Sequence, residues 1–215
     1  MSSGHWIRDC YFTLVLVWLL LFLVILVHEW AHWTCARRLG FRAPRVVVGI
    51  GRTFLRVRWR GSNWHFQLFP VLGFVQFFAG RHPVPGRKVL VALAGPAANL
   101  AVAAVLFLAL PAWDPMFRSC CGPVALVRLA ADAYSDGPAA ILYLFACLNL
   151  STGLFNLLPI PPLDGSALLE EPAQALHRAS PGSFNGEWWS GAWMYAGAAV
   201  MVAVNLFVLL SDFLI

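Results

Sequence analysis

Four stretches of the chain run without a charged residue for 17 positions or more: Tyr11–Val27, Val89–Ala112, Gly137–Leu163 and Trp188–Ser211. Each is long enough, or nearly so, to cross about 30 Å of hydrocarbon as a helix. The pattern between the first and second differs in kind. Arg45-Val46-Val47-Val48 is β-branched, Phe54 to Arg60 alternates apolar with basic residues, Gly61-Ser62-Asn63 reads as a turn, and Trp64 to Leu68 resumes the alternation. A period of two, together with Pro70 and Gly73, argues against a helix there and predicts a small antiparallel sheet. At membrane depth such a sheet needs protein or a water-filled cavity to cover its edges. The expected architecture is a polytopic α-helical membrane protein of one domain over residues 1–215. It has four transmembrane helices, near 11–38, 88–111, 138–158 and 188–211, and a membrane-associated re-entrant β-sheet near 44–78.

Composition supports the membrane class: 60% of the 215 residues are hydrophobic and 12% charged. The net charge of +5 does not point to nucleic acid, because 11 of the 15 Lys and Arg lie between Arg37 and Lys88. The positive-inside rule makes that segment cytoplasmic and puts both termini outside. A short outer loop is expected over Phe117–Asp136 and an inner or interfacial helix over Ser166–Arg178. Helix one should stop at Gly40, with Arg37 and Arg38 suited to its C-terminus and to lipid headgroups. The five cysteines have no zinc-finger spacing.

Candidate chemistry sits at the inner end of helix one, in His28-Glu29-Trp30-Ala31-His32. Histidines at i and i+4 share one helical face and can reach one zinc, with the intervening glutamate beside any water on it. A catalytic zinc takes a third protein ligand. Cys35 lies too far along the helix, and His65 and His82 read better as solvent or sheet-face residues. Asp164 is the better candidate. It follows Pro159-Ile160-Pro161-Pro162, which ends helix three, and the charge-derived topology returns it to the depth of the histidines. Asn99, in Gly95-Pro96-Ala97-Ala98-Asn99, is a polar group that needs a partner in lipid.

These motifs together resemble the site-2 protease family of intramembrane zinc metalloproteases, in a minimal form without peptide-binding or nucleotide-sensing domains. The matching residues are the histidine pentapeptide, Gly49-Ile50-Gly51, Pro70 to Val75, Gly95 to Asn99, and Asn156 through Asp164-Gly165. The resemblance implies one zinc per chain held by His28, His32 and Asp164, with Glu29 as catalytic acid and base. It also implies that Asn156 holds the substrate or its reacting carbonyl. Asn99 and Gly73 complete the candidate substrate-binding set. The expected activity is regulated intramembrane proteolysis of single-span membrane proteins near the cytoplasmic side. The setting implied is the lipid bilayer of a bacterial inner membrane, with no nucleic-acid partner. Two other classes are compatible with the residues: a catalytically silent partner that binds membrane helices, and a metal transporter. The gathering of His and Asp at one depth disfavours transport, and an intact Glu29 disfavours silence.

Overall fold

The computed structural model describes residues 3–78, 86–110, 123–179, 191–200 and 202–203. Helix α1 spans Ser3–Arg38. It ends in a left-handed turn at Gly40, φ +84°, where the Phe41 N–H donates to the Ala36 carbonyl at 2.9 Å and the Gly40 N–H to Arg37 at 3.1 Å. That pattern closes the orphan carbonyls of the last turn and tucks Phe41 against Ala36.

Strands β1 (Arg42–Trp59) and β2 (Ser62–Phe78) form an antiparallel sheet. Both are longer than one straight crossing of the sheet. Val46 lies opposite both Trp64 and Val75, and Val47 opposite both His65 and Phe74. Each strand therefore folds back on itself, with Arg45–Val48 in the interior. The bend in β1 occurs at Gly49 and Gly51, both at φ +91°. At Gly49 a Cβ would lie 2.9 Å from the carbonyl oxygens of Gln67 and Phe69, so only glycine fits. The inward face, Val46, Val48 and Trp64, packs on Trp33 of α1. Trp33 Nε1 donates to Ser62 Oγ at 2.8 Å, and Ser62 Oγ donates in turn to the Ala43 carbonyl.

Helix α2 (Arg87–Ala109) and helix α4 (Pro138–Asn156) pack together. Gly153 allows the close approach, because a Cβ there would fall 2.9 Å from Leu100 Cγ and 3.1 Å from the Pro96 carbonyl oxygen. Among the described residues three helices are long and apolar enough to cross a membrane: Arg8–Arg38 within α1, α2 and α4. Residues 191–200 of the fourth expected span are helical. Its other residues, apart from 202–203, lie outside the described residues, as does His82.

One expectation needs correction. The Phe117–Asp136 loop contains a helix, α3, over Pro123–Asp136. Its Ala130 and Ala133 are fully buried against Leu20, Ala140 and Leu144. Three charges, Arg128, Asp132 and Asp136, remove it from a search for uncharged runs, although small residues three apart give it a packing face. A 3-10 turn at Asp164–Ser166 leads into α5, Ala167–Ala179. Glu171 of α5 caps α2, accepting from the backbone N–H of Gly86 at 3.0 Å and of Val89 at 3.2 Å.

Candidate metal centre

Helical spacing brings His28 and His32 together on the buried face of α1, with ring centroids 4.6 Å apart. The irregular backbone after α4 delivers Asp164 to them. His28 Nε2 lies 2.8 Å from Asp164 Oδ2, His32 Nε2 lies 3.2 Å from the same oxygen, and the two Nε2 atoms are 3.0 Å apart. His32 Nδ1 is 2.7 Å from the Val91 carbonyl oxygen of α2. A carbonyl only accepts, so the proton sits on Nδ1 and the Nε2 lone pair faces the other donors.

Three electron-pair donors thus converge on one point. Neutral imidazoles and a carboxylate in that arrangement need a shared cation, and the set His, His, Asp suits zinc. Ligand atoms on a tetrahedral zinc with bonds of about 2.0 to 2.1 Å stand about 3.3 Å apart, so the trio needs to open by only a few tenths of an ångström. The residues fit the metal. Burial raises the Asp164 carboxyl, but once acid protonates His28 and His32 their hydrogen bonds and charge outweigh it and bring the group down to about 2.

Glycines make the room. At Gly95 of α2, a Cβ would collide with His32 Nε2 and stand 2.7 Å from His28 Nε2. At Gly73 of β2, it would fall 2.6 Å from Glu29 Oε1 and 2.8 Å from Cδ. Glu29 is buried, and its Oε2 has no hydrogen-bond partner among the described residues. All four groups, with Gly73 and Asn156, line a cavity of about 400 Å³.

The sequence-derived residues therefore separate into two groups. His28, Glu29, His32, Asp164, Gly73 and Asn156 meet at the cavity; Asn156 donates its amide N–H to the Thr152 carbonyl at 3.0 Å. Asn99 does not. It is fully buried one turn beyond Gly95, on the α2 face that also buries Pro96 and Ala103, and neither amide atom has a partner among the described residues. Sequence reasoning missed two backbone atoms: the Val91 carbonyl, which carried no signal, and the Ala92 carbonyl, which Pro96 could have flagged. Pro96 has no N–H, so Ala92 lacks its helical donor, and Ala92 borders the cavity.

The model of Peptidase family M50 matches residues 16–204. The chain belongs to peptidase family M50. A Streptococcus pneumoniae R6 protein provisionally named a zinc metalloprotease is 36% identical over 66 residues, 31% of this chain and 16% of that protein. A Lactococcus lactis protein of the same provisional name is 42% identical over 55 residues, 26% and 13% of the two chains. Probable protease eep of Enterococcus faecalis is 40% identical over 48 residues, 22% and 11%. The chain thus matches under one fifth of the length of these relatives. Among solved structures, the site-2 protease from Methanocaldococcus jannaschii superposes with a TM-score of 0.51 at 20% identity, covering 95% of this chain and 79% of that one. The M50 fold is therefore shared across nearly the whole chain. With three apolar helices and this family, the protein is an integral membrane protein.

Proposed function

We propose that this M50 chain is an intramembrane zinc endopeptidase that cleaves membrane-spanning segments of other proteins. The observation that carries the reading is the meeting of His28, His32 and Asp164 in one cavity with a buried Glu29 carboxylate whose Oε2 has no partner among the described residues. Bound zinc would supply Lewis acidity, polarising a peptide carbonyl and acidifying water. The chain's own residues supply the rest. Glu29 Oε2, with its lone pairs free, takes the proton of the attacking water and returns it to the leaving amide nitrogen. Gly73 leaves the room that the Glu29 carboxylate occupies, and Asn156, which lines the same cavity, offers an amide to orient the substrate.

A substrate helix hides its carbonyls in its own hydrogen bonds and must unwind to react. Residues Gly73–Val75 pair with β1 on one side only and border the cavity, so an unwound segment can add there as a strand. The clustered basic residues favour an orientation with both termini outside and the site toward the cytoplasm of a bacterial inner membrane.

The test is proteolysis in liposomes, offering single-span peptides to wild type and to Glu29→Gln, with zinc quantified in both. The expected outcome is one zinc per chain in each and cleavage by wild type alone. Equal cleavage by the two, or zinc in neither, overturns the reading.

A further inference from the structure

The outward face of the sheet carries chemistry that hydrolysis does not use. Arg56 stands opposite His65, Arg58 opposite Asn63, and Arg45 opposite Asn63 from the other side. Strand alternation therefore puts these five residues on one face, away from Val46, Val48 and Trp64, which pack on α1. The three arginines are exposed, with Arg45 lying 5.8 Å from the Phe74 ring centroid. No acidic residue occurs between Glu29 and Asp114, and among the described residues none of the three arginines has an ion pair. Burial, followed by the charges of Arg45 and Arg56, holds the His65 imidazole below its ordinary range. Arg56, Arg58, Asn63 and His65 border a shallow cleft of about 380 Å³. Like charges at neighbouring register positions repel, and an anion between them reverses the sign.

The sheet's placement along α1 says what sort of anion. At one end Trp18 Nε1 donates to the Leu68 carbonyl at 2.7 Å, and Phe22 packs on Phe54 and Phe66. At the other end Trp30 and Trp33 pack on Trp59 and Trp64. Trp18 and Trp33 are about 22 Å apart along the helix. The Trp18 end exposes Ile50, Phe54, Leu68, Phe69, Val71 and Leu72. The arginine face belongs to the Trp33 end, level with the tryptophan cluster. Apolar surface deep in the membrane and aromatic and cationic groups at its rim follow the order of acyl chain and headgroup in a phospholipid. Arg52, nearer the apolar end, is exposed and carries a stem long enough to reach toward the rim.

We propose that this face binds the headgroup of an anionic phospholipid, with Arg45, Arg56 and Arg58 around its phosphate and the acyl chains against the apolar end of the sheet. The inference rests on the membrane setting of the proposed function and not on its chemistry, so it is tested by binding alone. The full chain in neutral detergent is titrated with short-chain phosphatidylglycerol, phosphatidylcholine or inorganic phosphate, following tryptophan fluorescence. Wild type should saturate with phosphatidylglycerol and respond much more weakly to the other two. Replacing all three arginines by glutamine should weaken phosphatidylglycerol binding on the order of 100-fold, and Arg58→Gln alone about 5-fold. The triple lysine variant should stay near wild type. Zinc content at the wild-type level reports an intact fold; if the triple glutamine variant loses zinc, Arg58→Gln decides. Undiminished binding in the glutamine variants, or phosphatidylcholine binding as tightly, overturns the proposal. Inorganic phosphate binding as tightly as the lipid would instead mark a free-anion site and overturn it equally.

Discussion

Gly73 and Gly95 show how much of this centre depends on atoms that are missing. Each is replaced by alanine at the cost of one methyl group, yet the methyls meet different partners: Glu29 for Gly73, both imidazoles for Gly95. Gly73→Ala should therefore lower peptidase activity on the order of 100-fold while zinc stays bound. Gly95→Ala should weaken zinc binding about 10- to 100-fold, with activity following metal content. Metal analysis beside a peptide-cleavage assay separates the two. Acid should also release the metal through the histidines. Protons compete with zinc for imidazole nitrogen, so affinity falls as pH drops through about 6.5. Asp164 does not share that window: its carboxyl, brought down to about 2, remains ionised there. The stability that its low value contributes is complete above pH 3.8 and is lost only as pH falls toward 2. A pH series of zinc content should accordingly show loss centred near the histidine range, and His32→Ala should abolish the metal signal at every pH. The histidine motif was legible in the sequence because the spacing of four is a property of one helix. The glycine contacts were not, because each is a distance between two elements.

The Glu171 carboxylate hydrogen-bonds helix α5 to the start of α2. Glu171 accepts from two backbone N–H groups at the start of α2, which are otherwise orphan donors at the positive end of the helix. The same α5 follows directly from the turn that carries Asp164. Glu171→Ala should cost about 1 kcal/mol of stability and free the turn, lowering zinc affinity several-fold without touching a ligand. Glu171→Gln, which keeps an acceptor oxygen, should recover part of the loss. Zinc affinity measured beside thermal unfolding checks both. At this scale the sequence was most informative where one rule dominated. Gly40 ended α1, prolines ended α4, and a period of two marked the sheet. It missed α3, whose three charged residues, Arg128, Asp132 and Asp136, broke the uncharged run used to find helices. It also could not supply the folding-back of β1 and β2, since a strand pattern alone does not reveal that Val46 has partners on both sides.

Across the whole molecule, zinc would tie the inner end of α1 to the chain beyond α4. Any ligand that binds only the folded state raises its stability, by about 2.7 kcal/mol at a hundredfold excess over the dissociation constant. Adding zinc should raise the unfolding temperature of wild type and of Glu29→Gln alike, and leave His32→Ala unmoved; a chelator should reverse the shift. Asp164 was legible in the sequence because the prolines that end helix three leave it on irregular backbone, and the sign of the loops gives each span a direction and therefore the depth at which its end emerges. Asn99 shows the complementary limit: a polar residue in an apolar helix announces burial, but not which neighbour it faces. The separation of the ligands also has a temporal side. His28 and Asp164 are 136 positions apart, so during synthesis the chain completes two of its three metal ligands long before the last. Until residue 164 leaves the ribosome, a zinc ion finds the pair of imidazoles without the Asp164 carboxylate that completes the set. On the proposed function, the nascent chain is thus threaded into the bilayer, beside other newly made membrane proteins, before its metal centre is complete.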